Sequence, residues 1–441
     1  MATGYHDAVQ RPGRQEPPFD PRWLDLLAEC CADAAIGRPP LSDLYLERRL
    51  EVRVARAVSG TFIEECRREG VAARWRRRGG VRLDAVSGVG ARSLAAVLGR
   101  RVDRWALSTA RPGPAPDLDL PRAWRDWAVA HVERLATPGS EVRYLERRAV
   151  VVGADGWRAT GGPCLVRAAR GSGAAGALLA VWGHPRLERW MQRLAEPAPT
   201  RRWTPDPGMR WPVVLASGTS GVLLHEVVGH LLEGDLGASG RSPMRGLEGS
   251  QAGVERLTVV DDPTRLDLPG GFEVDDEGVP ATPISLVEAG RITGWLCDRG
   301  TADELHASPG RGRRAGWDLL PVPRLSNLVV HRGTTPAVDL ESGQDRALLV
   351  TRLGGATVDP ASRRVVLRVE RGWEIRHGRR RRAVAPFELT GDALDVLVHL
   401  DPSFGDDATP DWRLGWCVKR GIALPTGSES PTIVAHRLEV L

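Results

Sequence analysis

Apolar positions recur at helical spacing near the start of the chain and then change to strand-like alternation. Asp20 is a suitable N-cap and Pro21 suits the first helical turn, and apolar residues follow at helical spacing as far as Gly37. Short alternating stretches between Leu44 and about Ser87 predict antiparallel strands. The pattern also predicts helices at residues 93–99, 121–135 and 185–194, and a strand at residues 142–152.

A proline-rich stretch at residues 195–207 interrupts this periodicity and predicts a domain boundary. After it, residues 211–216 read as a strand, residues 220–233 as a strongly apolar helix, and the remainder as strands and turns. Helices and strands segregate, so we predict an α+β protein with antiparallel sheets and flanking helices. The predicted parts are a disordered lead-in (1–20), an N-terminal domain (21–205) and a C-terminal domain (206–441) that contains the apolar helix.

The positive charge of the chain comes almost entirely from arginine. The net charge is +5, yet Lys419 is the only lysine and Asn327 the only asparagine, which indicates codon bias from a GC-rich genome. The two dense arginine runs, residues 74–78 and 379–382, lie between strand-like segments and are interpreted as solvated hairpin ends. We therefore predict that the chain does not bind nucleic acid.

Hydropathy and cysteine content predict the compartment. No apolar run reaches the roughly 18 to 20 residues that cross a bilayer, and the polar N-terminus has no apolar signal region. The six cysteines form no CxxC pair and are too sparse for a disulfide scaffold. These features predict a cytoplasmic protein without a membrane partner, in which most cysteines are small buried hydrophobic residues.

Two histidines and a glutamate interrupt the apolar helix. His225, Glu226 and His230 resemble the HExxH zinc-protease signature, but the histidines are five residues apart rather than four. On a regular helix they would point about 140° apart and could not share one ion. The HExxxH spacing therefore predicts a π-turn, or unwinding at Gly229, that brings them together. The alternative is a buried helix with two hydrogen-bonded histidines, although burying such groups without partners costs several kcal/mol.

The segment from Gly221 to Asp235 resembles the signature of the TldD branch of the TldD/PmbA family. Further segments resemble other elements of the family in the same order: residues 274–278, 310–314, 323–327, 354–359, 415–421 and 430–432. The resemblance is strong over residues 211–441 and weaker over residues 20–200. Two departures lie near the C-terminus, where Val418 replaces a glycine and Glu429-Ser430 replaces a polar-Gln pair.

The resemblance implies a zinc peptidase with one Zn²⁺ per chain, held by His225, His230 and Cys417. A thiolate is a good zinc ligand, and catalytic zinc sites keep three protein ligands plus a water. A buried thiol is the alternative for Cys417, whereas Cys297 is interpreted as structural. Zinc would acidify its water, and Glu226 would act as general base and pass the proton to the leaving amine.

Glu233 and Asp235 are candidates to orient a ligand imidazole. The alternative is a charged helix end exposed to water.

The function that the resemblance implies is hydrolysis of short, unfolded or precursor peptides, with the N-terminal domain forming a substrate channel. The expected assembly is a homodimer, or a heterodimer with a TldE/PmbA-like relative that lacks the motif. One alternative is a non-catalytic assembly subunit or modulator of another protein, such as a topoisomerase, which would not need Glu226. Another is a zinc hydrolase acting on a non-peptide amide.

Overall fold

The N-terminal half of the chain forms one antiparallel sheet. The computed structural model describes residues 19–35, 41–77, 80–98, 118, 120–171, 177–196, 202–412 and 415–441. The helices of this half are α1 (Pro21–Ala35), α2 (Ala91–Leu98), α3 (Arg122–Leu135) and α4 (Leu187–Ala195). The strands are β1 (Leu41–Ala57), β2 (Gly60–Arg77), β3 (Gly80–Ser87), β4 (Glu141–Gly153), β5 (Gly156–Gly161), β6 (Leu165–Ala169) and β7 (Ala177–Val181). The strand order is β3-β2-β1-β4-β6-β7, with β5 paired to β4.

Side chains alternate between two surroundings along β1, as the twofold period of a strand requires. Leu44 and Leu46 pack with α1 and α2 at one end of the sheet, and Leu50 packs with α3 and α4 at the other. Tyr45 and Glu47 point to the opposite face, where both are fully buried. The helices therefore cover one face of the sheet, and the other face packs against the C-terminal half.

The described residues of the C-terminal half build two larger sheets and two short hairpins. Its helices are α5 (Ser220–Leu224), α6 (Gly234–Ala238), α7 (Arg299–Leu305), α8 (Ala337–Ser342) and α9 (Ala393–Val398). Its strands are β8 (Val213–Leu215), β9 (Val259–Asp261), β10 (Ile284–Glu288), β11 (Arg291–Ile292), β12 (Gly312–Arg313), β13 (Val322–Pro323), β14 (Asn327–Val330), β15 (Arg346–Asp359), β16 (Arg364–Arg376), β17 (Arg379–Ala383), β18 (Phe387–Asp392), β19 (Leu400–Phe404), β20 (Thr409–Pro410), β21 (Trp416–Lys419), β22 (Ile422–Pro425), β23 (Gly427–Ser430), β24 (Ile433–Ala435) and β25 (Glu439–Val440).

One large sheet has the order β19-β24-β8-β15-β16-β18-β25, with β17 paired to β16, and the other has the order β11-β10-β9-β14-β23-β20. Strands β12 and β13 form one hairpin, and β21 and β22 form the other. The pairings are antiparallel apart from β8 with β15 and β14 with β23. The largest hydrophobic core of the described chain lies in this half and surrounds the helix that begins at Ser220.

The predicted α+β class is confirmed, and the predicted helices of the N-terminal half lie within a few residues of the observed ones. Most of the predicted lead-in (1–20) falls outside the described residues, which begin at residue 19. The domain boundary between residues 205 and 206 stays a prediction. Among the described helices, none is long and apolar enough to cross a membrane.

One arginine run differs from its prediction. Residues 379–382 are exposed at a hairpin, as expected. Arg74, in contrast, is buried in β2, where its guanidinium pairs with Asp43 of β1 and with Glu277 of the C-terminal half. The solvated interpretation of residues 74–78 was therefore wrong for Arg74, because a face of the sheet that would otherwise meet water is covered by the second half.

A buried ionic cluster joins the two halves around Asp276. Its carboxylate accepts a hydrogen bond from Arg147 of β4 at 2.6 Å and another from the backbone N–H of Arg314 at 2.8 Å. The guanidinium of Arg147 also donates to Glu47 at 2.9 Å, and that of Arg314 lies over the ring of Tyr45 at 4.0 Å. Charged groups in this position are stable only when each finds a partner, so the two halves depend on each other here.

Replacing Arg147 by methionine should lower the free energy of unfolding by about 3 kcal/mol, because the buried carboxylates of Asp276 and Glu47 would lose their shared counter-ion. The control is Arg380→Met, which removes the pair that Arg380 makes with Glu341 at 2.6 Å on the exposed hairpin. The control substitution should lower the free energy of unfolding by at most about 1 kcal/mol. Urea unfolding followed by tryptophan fluorescence measures both changes, and equal shifts in the two variants would contradict the importance of the cluster.

Candidate metal centre

The helix that begins at Ser220 changes its winding at the two histidines. α5 is followed by a π-turn, His225–Gly229, and a 3₁₀ turn, His230–Leu232. The backbone N–H of His230 donates to the carbonyl of His225, five residues earlier, which is the π pattern. The two imidazole rings consequently lie on one side of the helix with their centroids 4.8 Å apart. The distortion that the five-residue spacing predicts is present.

Gly229 allows this turn to pack against its neighbour. Its backbone has ordinary helical angles, so conformational freedom is not the reason for a glycine here. A Cβ at this position would lie 2.2 Å from Cδ2 of Leu325, which is fully buried. A side chain at residue 229 would therefore force the side chain of Leu325 to move within a closely packed core.

Cys417 reaches the two histidines from β21. Its Sγ lies 3.2 Å from Nε2 of His230. Among the described residues, one potential ligand atom from each of His225, His230 and Cys417 lies within 4.8 Å of the others. Cys297 lies apart from this cluster and is buried, and its burial raises the pKa of the thiol to about 11. The three predicted metal ligands therefore lie together, and Cys297 has the surroundings of a structural thiol.

The charges in the cluster favour the thiolate form of Cys417. Burial alone would raise the pKa of this thiol, but the imidazoles of His230 and His225 outweigh burial and hold the pKa well below its usual value. The thiolate is the form of cysteine that binds metals. Two imidazoles and one thiolate form a donor set that fits a transition-metal ion.

Glu226 faces the same cleft. The cleft has a volume of roughly 940 Å³, and His225, Glu226, His230 and Cys417 all line it. Glu226 is buried, and burial raises the pKa of its carboxyl group above the usual value. A carboxylate with a raised pKa beside potential metal ligands is suited to accept and return a proton.

Glu233 contacts the imidazole of His230 at Nδ1, whereas Cys417 lies at Nε2. Its carboxylate lies 3.2 Å from Nδ1 of His230 and 2.7 Å from Nζ of Lys419, and the residue is fully buried. Although burial raises the pKa of Glu233, His230, Lys419 and Arg324 lower it to about 2. An ionised carboxylate at Nδ1 orients the imidazole so that Nε2 faces Cys417. The exposed-helix-end alternative was therefore wrong for Glu233.

Asp235 does not occupy the predicted position beside a ligand imidazole. Its carboxylate contacts no imidazole in the described structure and pairs with Lys419 at 2.6 Å and with Arg420 at 3.2 Å. Lys419 thus joins both carboxylates to the strand that carries Cys417. Sequence reasoning missed Lys419, although a signal existed: it is the only lysine of an arginine-rich chain and lies two residues after Cys417.

Residues 208–441 match the family model for the PmbA/TldA metallopeptidase C-terminal domain, and this match spans just over half of the chain. The chain belongs to the PmbA/TldD family of metallopeptidases. The family resemblance of the sequence is therefore confirmed. This family member is 32% identical over 231 residues to the Metalloprotease TldD homolog of Buchnera aphidicola, a match that covers 52% of this chain and 48% of the relative. The chain thus spans about half the length of the curated relatives that it matches.

Solved structures of low sequence identity share the fold. TldE from Thermococcus kodakarensis aligns with a TM-score of 0.66 at 15% identity, covering 91% of this chain and 96% of the other. A Thermotoga maritima protein, described as a candidate modulator of a DNA gyrase, aligns with a TM-score of 0.65 at 17% identity and the same coverage. These matches extend through the N-terminal half, where the sequence resemblance is weaker.

Substituting Gly229 by alanine should lower the free energy of unfolding by about 2 kcal/mol, because the new methyl group would overlap Leu325 in a closely packed core. In the Leu325→Ala background the same substitution should lower the free energy of unfolding by much less, since the leucine atoms that overlap the new methyl group are gone. Urea unfolding of the four proteins of this cycle measures the coupling between the two residues.

The matched control is Gly355→Ala, since a Cβ at Gly355 meets no atom within 4 Å. Additive effects of the substitutions at residues 229 and 325 would show that packing against Leu325 is not what requires glycine.

Proposed function

We propose that this chain is a zinc-dependent metallopeptidase in which His225, His230 and Cys417 hold one Zn²⁺ and Glu226 is the general base. The observation that carries the proposal is the approach of three ligand atoms to within 4.8 Å of one another at a distorted helix. Relatives named metalloproteases support a metal-dependent protease at the level of the family. The two imidazoles and the thiolate favour zinc among the common divalent metals.

The protein residues have separate tasks in this mechanism. A zinc ion bound there would acidify a water molecule and polarise the scissile carbonyl. Glu226 would accept a proton from the attacking water on its carboxylate and deliver it to the leaving amine, and its raised pKa suits this exchange. Glu233 orients the imidazole of His230, and Lys419 holds Glu233 in place.

The cleft suggests the form of the substrate. Its lining includes Arg167 and Ala177 from the N-terminal sheet as well as residues from β15 and β21, so both halves contribute walls. An extended segment of a short, unfolded or precursor peptide suits such a cleft better than a folded domain does. This arrangement supports the proposed substrate-channel role of the N-terminal domain.

Assembly and location belong to the same proposal. The proposed assembly is a dimer, either of two copies of this chain or with a TldE/PmbA-like relative that lacks the motif; the fold shared with a TldE structure favours the second form. A cytoplasmic location stays a prediction. The description of the Thermotoga maritima protein suggests a purely modulating role as the alternative. Such a role would not explain why Glu226 is buried beside three potential metal ligands.

Glu226→Ala should abolish cleavage of an unstructured peptide pool while the variant keeps its zinc, because the general base contributes roughly 10²–10⁴-fold to the rate. Mass spectrometry of the peptides and elemental analysis of the protein measure the two properties. Glu248→Ala, which removes an exposed carboxylate, is the control and should cut like the wild type. Equal cutting by Glu226→Ala and wild type would exclude this mechanism.

If neither protein cuts although both hold zinc, the pool is tested again with a motif-less relative co-expressed. Continued inactivity of wild type in that complex would count against peptidase activity itself.

Glu233→Gln should weaken zinc binding by about 10- to 100-fold, because the neutral amide no longer fixes the imidazole of His230. Competition with a chromophoric chelator gives the affinity. Asp235→Asn is the matched control, since Asp235 shares Lys419 but contacts no imidazole in the described structure, and it should change the affinity much less. Similar affinities for the two variants would show that the carboxylate of Glu233 does not act through His230.

A further inference from the structure

A second pocket adjoins the cleft that the candidate metal ligands line. It has a volume of roughly 250 Å³ and lies between α4 and the segments around Thr219, Thr351 and Thr409. Val222 and Asp411 line both this pocket and the cleft, so the two spaces share a wall. The second pocket is therefore an immediate neighbour of the cleft.

Three arginines of the second pocket lie along one side of α4. Arg186 precedes the helix, and Arg189 and Arg193 follow at intervals of three and four residues, which puts all three on one helical face. They are exposed, and none of their side chains has a hydrogen bond or an ion pair within the described part of the chain. The opposite face packs into the core through Leu187 and Met191.

Neighbouring arginines differ from these three. Arg352 lines the same pocket but pairs with Glu370 at 2.6 Å, and Arg371 pairs with Glu196 at 3.4 Å. Among the described residues that line this pocket, Asp411 is the only one with a carboxylate. The three arginines of α4 therefore leave an excess of positive charge in the pocket.

A row of exposed arginines is ordinarily a solvated helix face. Two features distinguish this one. The side chains line a recess between the two halves of the chain, where their positive potentials add and attract an anion. The recess also adjoins the cleft that the proposed catalytic residues line, and guanidinium groups bind carboxylates in a bidentate manner.

We propose that this pocket binds acidic side chains of the substrate and makes the chain selective for acidic peptide segments. Arg186, Arg189 and Arg193 are the residues that determine this specificity. The inference rests on the proposed peptidase function, because it assigns the pocket to a peptide that occupies the adjoining cleft.

Binding is tested apart from hydrolysis, with full-length zinc-loaded protein carrying Glu226→Ala. Fluorescein-labelled unstructured peptides differ only at three consecutive positions, which are Asp, Asn or Lys, and fluorescence anisotropy gives the dissociation constants. We expect the Asp peptide to bind about tenfold more tightly than the Asn peptide. Adding Arg189→Glu and Arg193→Glu should remove this preference and favour the Lys peptide.

The control is the pair Arg379→Glu and Arg381→Glu on the exposed hairpin, which changes the net charge equally at arginines that do not line either space. It should keep the preference for Asp. Equal binding of the three peptides, or loss of the preference in this control, would overturn the proposal. Circular dichroism of the double variants confirms that both are folded.

Kinetics separate this proposal from the function on which it rests. With the wild-type Glu226, Arg189→Glu with Arg193→Glu should raise KM for Asp peptides about tenfold and leave kcat within twofold. A fall in kcat for all three peptides would show a structural role instead. Tight binding of the Asp peptide without any cleavage, also in the complex with a motif-less relative, would keep the pocket for acidic side chains and reject the peptidase function.

Discussion

The candidate metal centre depends on the buried carboxylate of Glu233. This group contacts the imidazole of His230 at the end of a distorted helix and the ammonium of Lys419 on a strand far along the chain. Because an ionised carboxylate in the interior requires cationic partners, the helix end and the strand are held together around it. Cys417 lies two residues before Lys419, so the same contact brings the thiol to the histidines.

The position of the cleft follows from a second set of buried charges. Asp276 and Glu277 pair with Arg147 and Arg74 of the N-terminal sheet, which fixes that sheet against the C-terminal half. The cleft and the arginine-lined pocket both lie where the two halves meet. The residues of the proposed chemistry therefore belong to one half, while both halves line the space around them.

The sequence revealed local features better than long-range ones. The five-residue spacing of His225 and His230 allows only a distorted helix if both hold one ion, and that distortion is present. The α+β class followed from periodicity. The burial of Arg74 and the role of Lys419 could not be predicted in the same way, because each depends on a partner more than 180 residues away. The solitary lysine marks residue 419 as unusual, but residue type and local pattern do not identify so distant a partner.

The separation of the candidate ligands along the chain has a consequence for biosynthesis. Cys417 follows His230 by 187 residues, so a growing chain that has completed the helix still lacks the thiol. Such a chain offers two imidazoles, which bind a metal ion far more weakly than the full set of three ligands. Bringing the thiol to the histidines also closes a long loop, and the entropy cost of that closure must be offset by contacts of the folded C-terminal half. The ability to hydrolyse peptides would then form together with the finished fold, so that an unfinished chain could not cut other peptides or itself.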